Sequence, residues 1–177
     1  MDEIKRINRK LAYEGTVIKV YQDEMLVNNE RTAYWDFIHH DGAAAVVAVT
    51  DEGKLLMVKQ YRNALDRETI ELPAGKLDFV GEDTLSCAKR ELEEETGYAS
   101  DDLTFLLSIC TTVALCNEKI DIYLAKNLRL SKQHLDEDEY IQVEAYSVEE
   151  LLTMIYQGKI LDSKTVSGIL AYANQLK

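Results

Sequence analysis

Residues 71–98 read ELPAGKLDFVGEDTLSCAKRELEEETGY. The second half of this stretch has the spacing of a helix, predicted over Asp83–Thr96. Gly97 stops it, because glycine accepts the left-handed conformation a helix end asks for. Leu85, Cys87, Ala88 and Leu92 supply an apolar stripe. The acids are arranged as tightly. Glu91 and Glu94 are three apart, Glu91 and Glu95 four apart, so these three carboxylates share one face. Glu93 falls on another side, and Glu82 stands just before the helix. Three like charges on one patch repel each other. Such a patch is either simply solvated or offset by a divalent cation. Hard carboxylate oxygens suit Mg²⁺, which keeps several waters and reaches for phosphate oxygens.

Strands surround this helix on both sides. Upstream, Gly42–Thr50 is an apolar run, predicted as a buried central strand. Asp51-Glu52-Gly53 makes a turn, Lys54–Tyr61 returns as its hairpin partner, and Thr69–Leu72 is a short strand ending at Pro73. Downstream, strands are predicted over Leu103–Val113, Lys119–Ala125 and Ile141–Tyr146, with an acidic loop at Ser131–Glu139. Ser147-Val148-Glu149-Glu150 is a capping box that opens a helix to about Gln157. Asp162 or Ser163 caps a last helix, Lys164–Gln175. Residues 1–40 alternate weakly and are predicted as two or three antiparallel strands, with a turn at Asn28-Asn29-Glu30. A domain seam is placed near residue 40, giving an N-terminal β-domain over 1–40 and a second domain over 41–177.

Composition narrows the function. The chain has 177 residues, 46% of them hydrophobic, enough for a full core. Its net charge is −12, and so acidic a surface repels nucleic-acid backbones. The longest run free of polar residues and glycine is Ala43–Val49, far short of the ~20 residues of a membrane span. The N-terminus has no apolar core of a secretory signal. Cys87, Cys110 and Cys116 are odd in number and widely spaced. They read as small buried fillers in a reducing cytoplasm.

The stretch resembles the Nudix box, G-x5-E-x7-R-E-U-x-E-E-x-G-U, where U is a large apolar residue. Gly75, Glu82, Arg90-Glu91-Leu92, Glu94-Glu95 and Gly97-Tyr98 fill its nine fixed positions. Six residues rather than five separate Gly75 from Glu82. The extra one lies in the loop Lys76–Gly81, so the helical register is untouched. Glu71–Gly75, Val58–Arg62 (VKQYR), Asn117–Ala125 (NEKIDIYLA) and Leu135–Glu139 (LDEDE) are similar to the ADP-ribose (ADP-sugar) pyrophosphatase branch of that family. The resemblance implies an α/β fold: an α/β/α sandwich with a mixed sheet, preceded by a small N-terminal antiparallel β-domain that often swaps across a homodimer.

The resemblance also implies roles. The reaction is Mg²⁺-dependent hydrolysis of a nucleoside-diphosphate sugar, with Mn²⁺ as the alternative ion. Glu91, Glu94, Glu95 and the backbone carbonyl of Ala74 match metal ligands. Glu82 matches an outer ligand or a structural partner. Arg90 matches the residue that holds the box by pairing with its carboxylates, and it counts with the catalytic set. Glu137 matches the general base, with Glu139 as the alternative. Arg62 matches a diphosphate contact, and Glu71, opening ELPAG, stands with it on the substrate side. Glu118 matches a position near the substrate. Trp35 matches the aromatic that stacks on adenine, with Tyr34, on the opposite face of the strand, as the alternative.

Two departures touch the substrate rather than the hydrolytic residues. Members of the branch usually carry Ser-Pro-Gly after the box, where this chain has Thr111–Leu115. Their His-Pro-Gly is His40-Asp41-Gly42 here. A non-catalytic nucleotide sensor on the same fold, or a Nudix hydrolase of another nucleotide, are the competing readings. An intact Glu91, Glu94 and Glu95 favours the enzyme.

Overall fold

The computed structural model describes residues 3–16, 18–135 and 139–177. It divides into two compact units: the described residues of Met1–Gly42 with Cys110–Lys119, and Ala43–Ile109 with Ile120–Lys177.

In the first unit, β1 (Ile4–Glu14), β2 (Lys19–Val27) and β3 (Arg31–His39) form an antiparallel sheet in that order. Asn28 and Asn29 turn β2 into β3 with φ of 54° and 57°, a conformation asparagine tolerates and hairpin turns favour. Arg9 grips Asp23 through two bonds of 2.6 Å, and its guanidinium carbon lies 3.7 Å from the Phe37 ring centre. Thr111–Leu115, the stretch that departs from Ser-Pro-Gly, is part of this unit with Cys116. Ile38 N donates to Leu115 O at 2.7 Å, and Ile38 bridges Cys116.

The second unit is built on a mixed sheet. Its path runs β12 (Gln142–Tyr146), β5 (Leu55–Arg62), β4 (Ala43–Val49), β10 (Lys119–Lys126), β9 (Asp102–Cys110). The strands β6 (Arg67–Glu71) and β7 (Ala74–Lys76) join β5 and β4. β10 runs parallel to β4, while β5 and β7 run antiparallel to it. The β4–β5 hairpin is shorter than the sequence suggests: only Ala48 and Val49 of β4 face β5, and Ala43–Ala45 pair with β7 instead. A further antiparallel pair joins β8 (Tyr98–Ala99) and β11 (Arg129–Leu130).

Every residue of β4 is buried, and its alternation sorts the core into two layers. Ala43, Ala45, Val47 and Val49 join Ile120, Ile122 and Leu124 against Leu151, Ile160, Ile169 and Tyr172. The last four come from α2 (Val148–Tyr156), α3 (Ser163–Gln175) and their link. Ala44, Val46 and Ala48 face the other way, with Tyr123 and Ala125, onto Cys87, Ala88 and Leu92 of α1 (Thr84–Thr96). The result is the expected helix–sheet–helix sandwich. Gly168 lets α3 lie close on the sheet, since a Cβ there would stand 2.6 Å from Leu72. No described helix is long and apolar enough to cross a membrane.

Of the cysteines, Cys87 is the buried filler expected, but Cys110 is exposed and Cys116 half-buried. Both belong to the first unit, at the end of β9 and in the loop that follows it.

Candidate active site

α1 places the acidic face. Asp83 caps it, accepting from Ser86 N at 3.0 Å, and Gly97 ends it at φ 71°. Between these caps the stripe of Cys87, Ala88 and Leu92 packs on β4, which turns Glu91 and Glu95 inward with it. Both are nearly buried, Glu91 at 9% and Glu95 at 4% exposure. Glu94 reaches solvent more freely. Glu93 points elsewhere, to Ser131 Oγ.

The loop before α1 meets this face. Ala74 N donates to Glu95 Oε2 at 2.8 Å. Glu91 lies flat against Gly75, so that a Cβ there would sit 2.0 Å from its Oε1. Glu82 accepts from Asp78 N at 2.7 Å, folding Lys76–Gly81 back on itself, so the extra residue is absorbed by the turn. Arg90 braces the whole. Its Nη1 donates to Glu91 at 2.6 Å and Glu94 at 2.9 Å, and its Nη2 to Lys76 O at 3.1 Å. Asp78 and Glu82 lie 3.3 and 3.8 Å from the same guanidinium. Arg90 Nε is buried without a hydrogen-bond partner among the described residues.

Burial pushes the Glu91 carboxyl up to about 7 against the pull of Arg90, with Glu94 and Glu139 adding repulsion. Burial likewise pushes Glu95 up to about 8, against the Ala74 N–H and with Glu91 and Glu139 repelling. Two desolvated acids that repel one another are short of positive charge. Glu139 is thus near enough for its charge to be felt at both. Glu137 lies outside the described residues.

The donor set fits a hard divalent cation: carboxylate oxygens from Glu91, Glu94 and Glu95, set against the side-chain-free Cα of Gly75 beside Ala74. As placed, no three His, Cys, Asp or Glu side chains among the described residues converge tightly enough to enclose an ion. Arg90 stands as the counter-charge between Glu91 and Glu94.

On the other side of Ala74, Glu71 is 3% exposed. Its Oε1 accepts from Arg62 Nε at 2.8 Å and Thr69 Oγ1 at 2.7 Å. Its Oε2 accepts from Arg62 Nη2 at 2.7 Å and Lys164 Nζ at 2.6 Å. Burial alone would raise this carboxyl, but the bonds from Arg62, Lys164 and Thr69 and the Lys164 charge hold it down at about 2.

Lys164 was not legible as a site residue by spacing. Its signal is electrostatic: a lysine in the first turn of α3 opposes the helix dipole, a placement that a nearby carboxylate offsets, and Glu71 and Asp162 both pair with it.

Tyr34, Trp35 and Glu118 belong to the first unit. Tyr34 and Trp35 are exposed, at 63% and 47%. Glu118 accepts from Thr111 Oγ1 at 2.5 Å and lies 3.4 Å from His40 Nε2. Asn117 ties His40 in place by bonds of 2.9 Å to its N–H and carbonyl.

A helix carrying glutamates toward a glycine loop, on a mixed sheet covered on both faces, defines a class. The NUDIX domain model matches residues 39–166, and the chain belongs to the Nudix family as a Nudix hydrolase. Within it, the chain falls in the ADP-ribose pyrophosphatase branch. It is 38% identical to the ADP-ribose pyrophosphatase of Bacillus subtilis, over 94% of this chain and 91% of that one. It is 39% identical, with the same coverage, to the methanol dehydrogenase activator of Bacillus methanolicus. Among solved structures, an ADP compounds hydrolase superposes with a TM-score of 0.88 at 19% identity, covering 98% of this chain and 94% of that one.

Proposed function

We propose that this chain hydrolyses the diphosphate of ADP-ribose to AMP and ribose 5-phosphate, with Mg²⁺ as its ion and Mn²⁺ able to substitute. The observation that carries the proposal is the pairing of Glu91 and Glu95, buried and facing the Ala74–Gly75 backbone. Nudix hydrolases generally need a divalent metal. Here Glu91, Glu94, Glu95 and the Ala74 carbonyl would hold it, with Glu82 as an outer ligand or brace. When bound it neutralises phosphate oxygens and lowers the pKa of an attacking water.

The chain's own groups do the rest. Arg90 keeps the carboxylates in register. Glu137, or Glu139 in its place, takes the proton of the attacking water; the charge of Glu139 at Glu91 and Glu95 supports a position within reach. Arg62 contacts the diphosphate. Trp35, or Tyr34 on the opposite face, stacks on adenine, as their exposure permits. Glu118 faces the substrate from the Thr111–Glu118 loop.

The N-terminal β-domain, residues 1–40, is too small to bury a core alone. Its exposed Ile4, Ile7, Leu11 and Tyr13 support a homodimer. We place the protein in the cytoplasm.

A panel of nucleoside diphosphate derivatives, incubated with Mg²⁺ or Mn²⁺ and then a phosphomonoesterase, tests the substrate. Cleavage at the diphosphate exposes monoesters, and phosphate is released. The expected result is ADP-ribose as the best substrate. A preference for a dinucleotide over ADP-ribose, or no release from any ADP derivative, overturns it.

A further inference from the structure

We propose that Glu71 and Lys164 are positioning residues for Arg62, holding its guanidinium by one edge so that the other edge is free for phosphate oxygens. This rests on the reading of Arg62 as a diphosphate contact and gives it a mechanism.

A guanidinium has five N–H groups in a planar fork. Glu71 takes two of them, at Nε and Nη2, by parallel bonds of 2.8 and 2.7 Å. Nη1 has no acceptor among the described residues. The unused edge, Nη1 with the second N–H of Nη2, has the shape that forks onto two oxygens of a phosphate. The Arg62 side chain is 43% exposed, against 3% for Glu71, so the grip is interior and the free edge outward.

The grip itself is oriented from behind. A lone carboxylate can swing about its last bond. This one cannot, because Thr69 Oγ1 and Lys164 Nζ take the second acceptor position of each oxygen. Lys164 is anchored in turn by Asp162 Oδ2 at 2.9 Å, the N-cap of α3. Two cations and two carboxylates make the cluster neutral, so it stays closed before any substrate arrives. It also borders the acidic face: the charge of Glu95 is felt at Arg62, and that of Lys164 at Glu95. Ala74, three residues beyond Glu71, donates its N–H to Glu95. The cationic edge and the carboxylate face are thus fixed to one short stretch of backbone.

The test is a double-mutant cycle read as KM and kcat for ADP-ribose with Mg²⁺. Arg62→Ala should raise KM. Lys164→Met and Thr69→Val should each raise KM about tenfold, the scale of one charge-assisted bond, with kcat less affected. Lys164→Arg should restore most of the loss. In the Arg62→Ala background, Lys164→Met and Thr69→Val should change KM no further. Thr69→Val keeps volume and charge, so it carries the test if Lys164→Met does not fold. Equal KM effects with and without Arg62 overturn the positioning role, as does a wild-type KM in Thr69→Val. An unchanged KM in Arg62→Ala itself overturns the reading of Arg62 as a substrate contact.

Discussion

Replacing Gly75 with alanine should separate the catalytic geometry from the fold. The new Cβ would stand 2.0 Å from Glu91 Oε1, 2.1 Å from its Cδ and 2.4 Å from Oε2. Ordinary contact begins near 3.4 Å, so the carboxylate must retreat by about 1.4 Å. The atoms in the way are the far end of a flexible side chain, and Gly75 has no positive φ. The backbone therefore accepts alanine, and the lower entropy of the unfolded chain offsets part of the strain by about 0.4–1 kcal/mol. The retreat displaces the Oε1 that accepts the 2.6 Å bond from Arg90. Displacing a catalytic group by about 1 Å costs on the order of 10²-fold in rate. Turnover of ADP-ribose should fall by that order, and the concentration of divalent ion needed for half-activation should rise. The melting temperature should move by only a few degrees, at ~2–4 °C per kcal/mol for a chain of this size. Near-wild-type turnover at the same ion concentration would refute the argument that Glu91 works from its seat on Gly75.

Glu95→Gln keeps the acceptor for Ala74 N–H but not the charge. It should lose turnover on the order of 10²-fold or more and lose the thermal shift produced by Mg²⁺. Full activity of the variant, or of the wild type in excess chelator, would contradict the metal reading. Glu71 predicts an acid limb of stability. Its folded pKa is depressed from 4.5 to about 2, so its contribution is complete above pH 4.5 and is lost as pH falls from there toward 2. The amount is on the order of 3 kcal/mol; parallel urea-unfolding curves for wild type and Glu71→Gln across that range would exclude it. Trp35→Ala should raise KM for ADP-ribose by the equivalent of ~1–3 kcal/mol of base stacking. It should change kcat much less, because the stack is the same in ground and transition states. A change in kcat alone would remove Trp35 from the adenine site. A single-chain mass by light scattering at micromolar concentration would remove the homodimer.

The parts of the molecule legible in the sequence are those set by local chemistry. Asp83 and Gly97 bound α1 because a cap needs only its own turn, and the Ser147–Glu150 capping box marks α2 for the same reason. The shared face of Glu91, Glu94 and Glu95 follows from helical period alone. What stayed hidden depends on distant partners. Ala74–Lys76 is a strand only because β4 pairs with it. The same pairing shortens the β4–β5 hairpin. Thr111–Cys116 joins the N-terminal sheet through Ile38, and Asn117 bonds His40 across 77 residues. Lys164 reaches Glu71 across 93 residues, and no period or motif connects the two.

The short backbone after Glu71 is held by three separate elements. Leu72 N donates to Thr165 Oγ1 of α3 at 2.9 Å, Pro73 O accepts from Val46 N of β4 at 2.9 Å, and Ala74 N meets Glu95 of α1 at 2.8 Å. Both helical layers and the sheet between them must therefore be docked before this segment takes its form. Competence for chemistry then arrives as the final act of folding rather than with any one element. Hydrogen exchange at Leu72 and Ala74 should open only with the whole unit. Proteolytic loss of α3, remote in sequence from the glutamates, would silence them as completely as their own replacement.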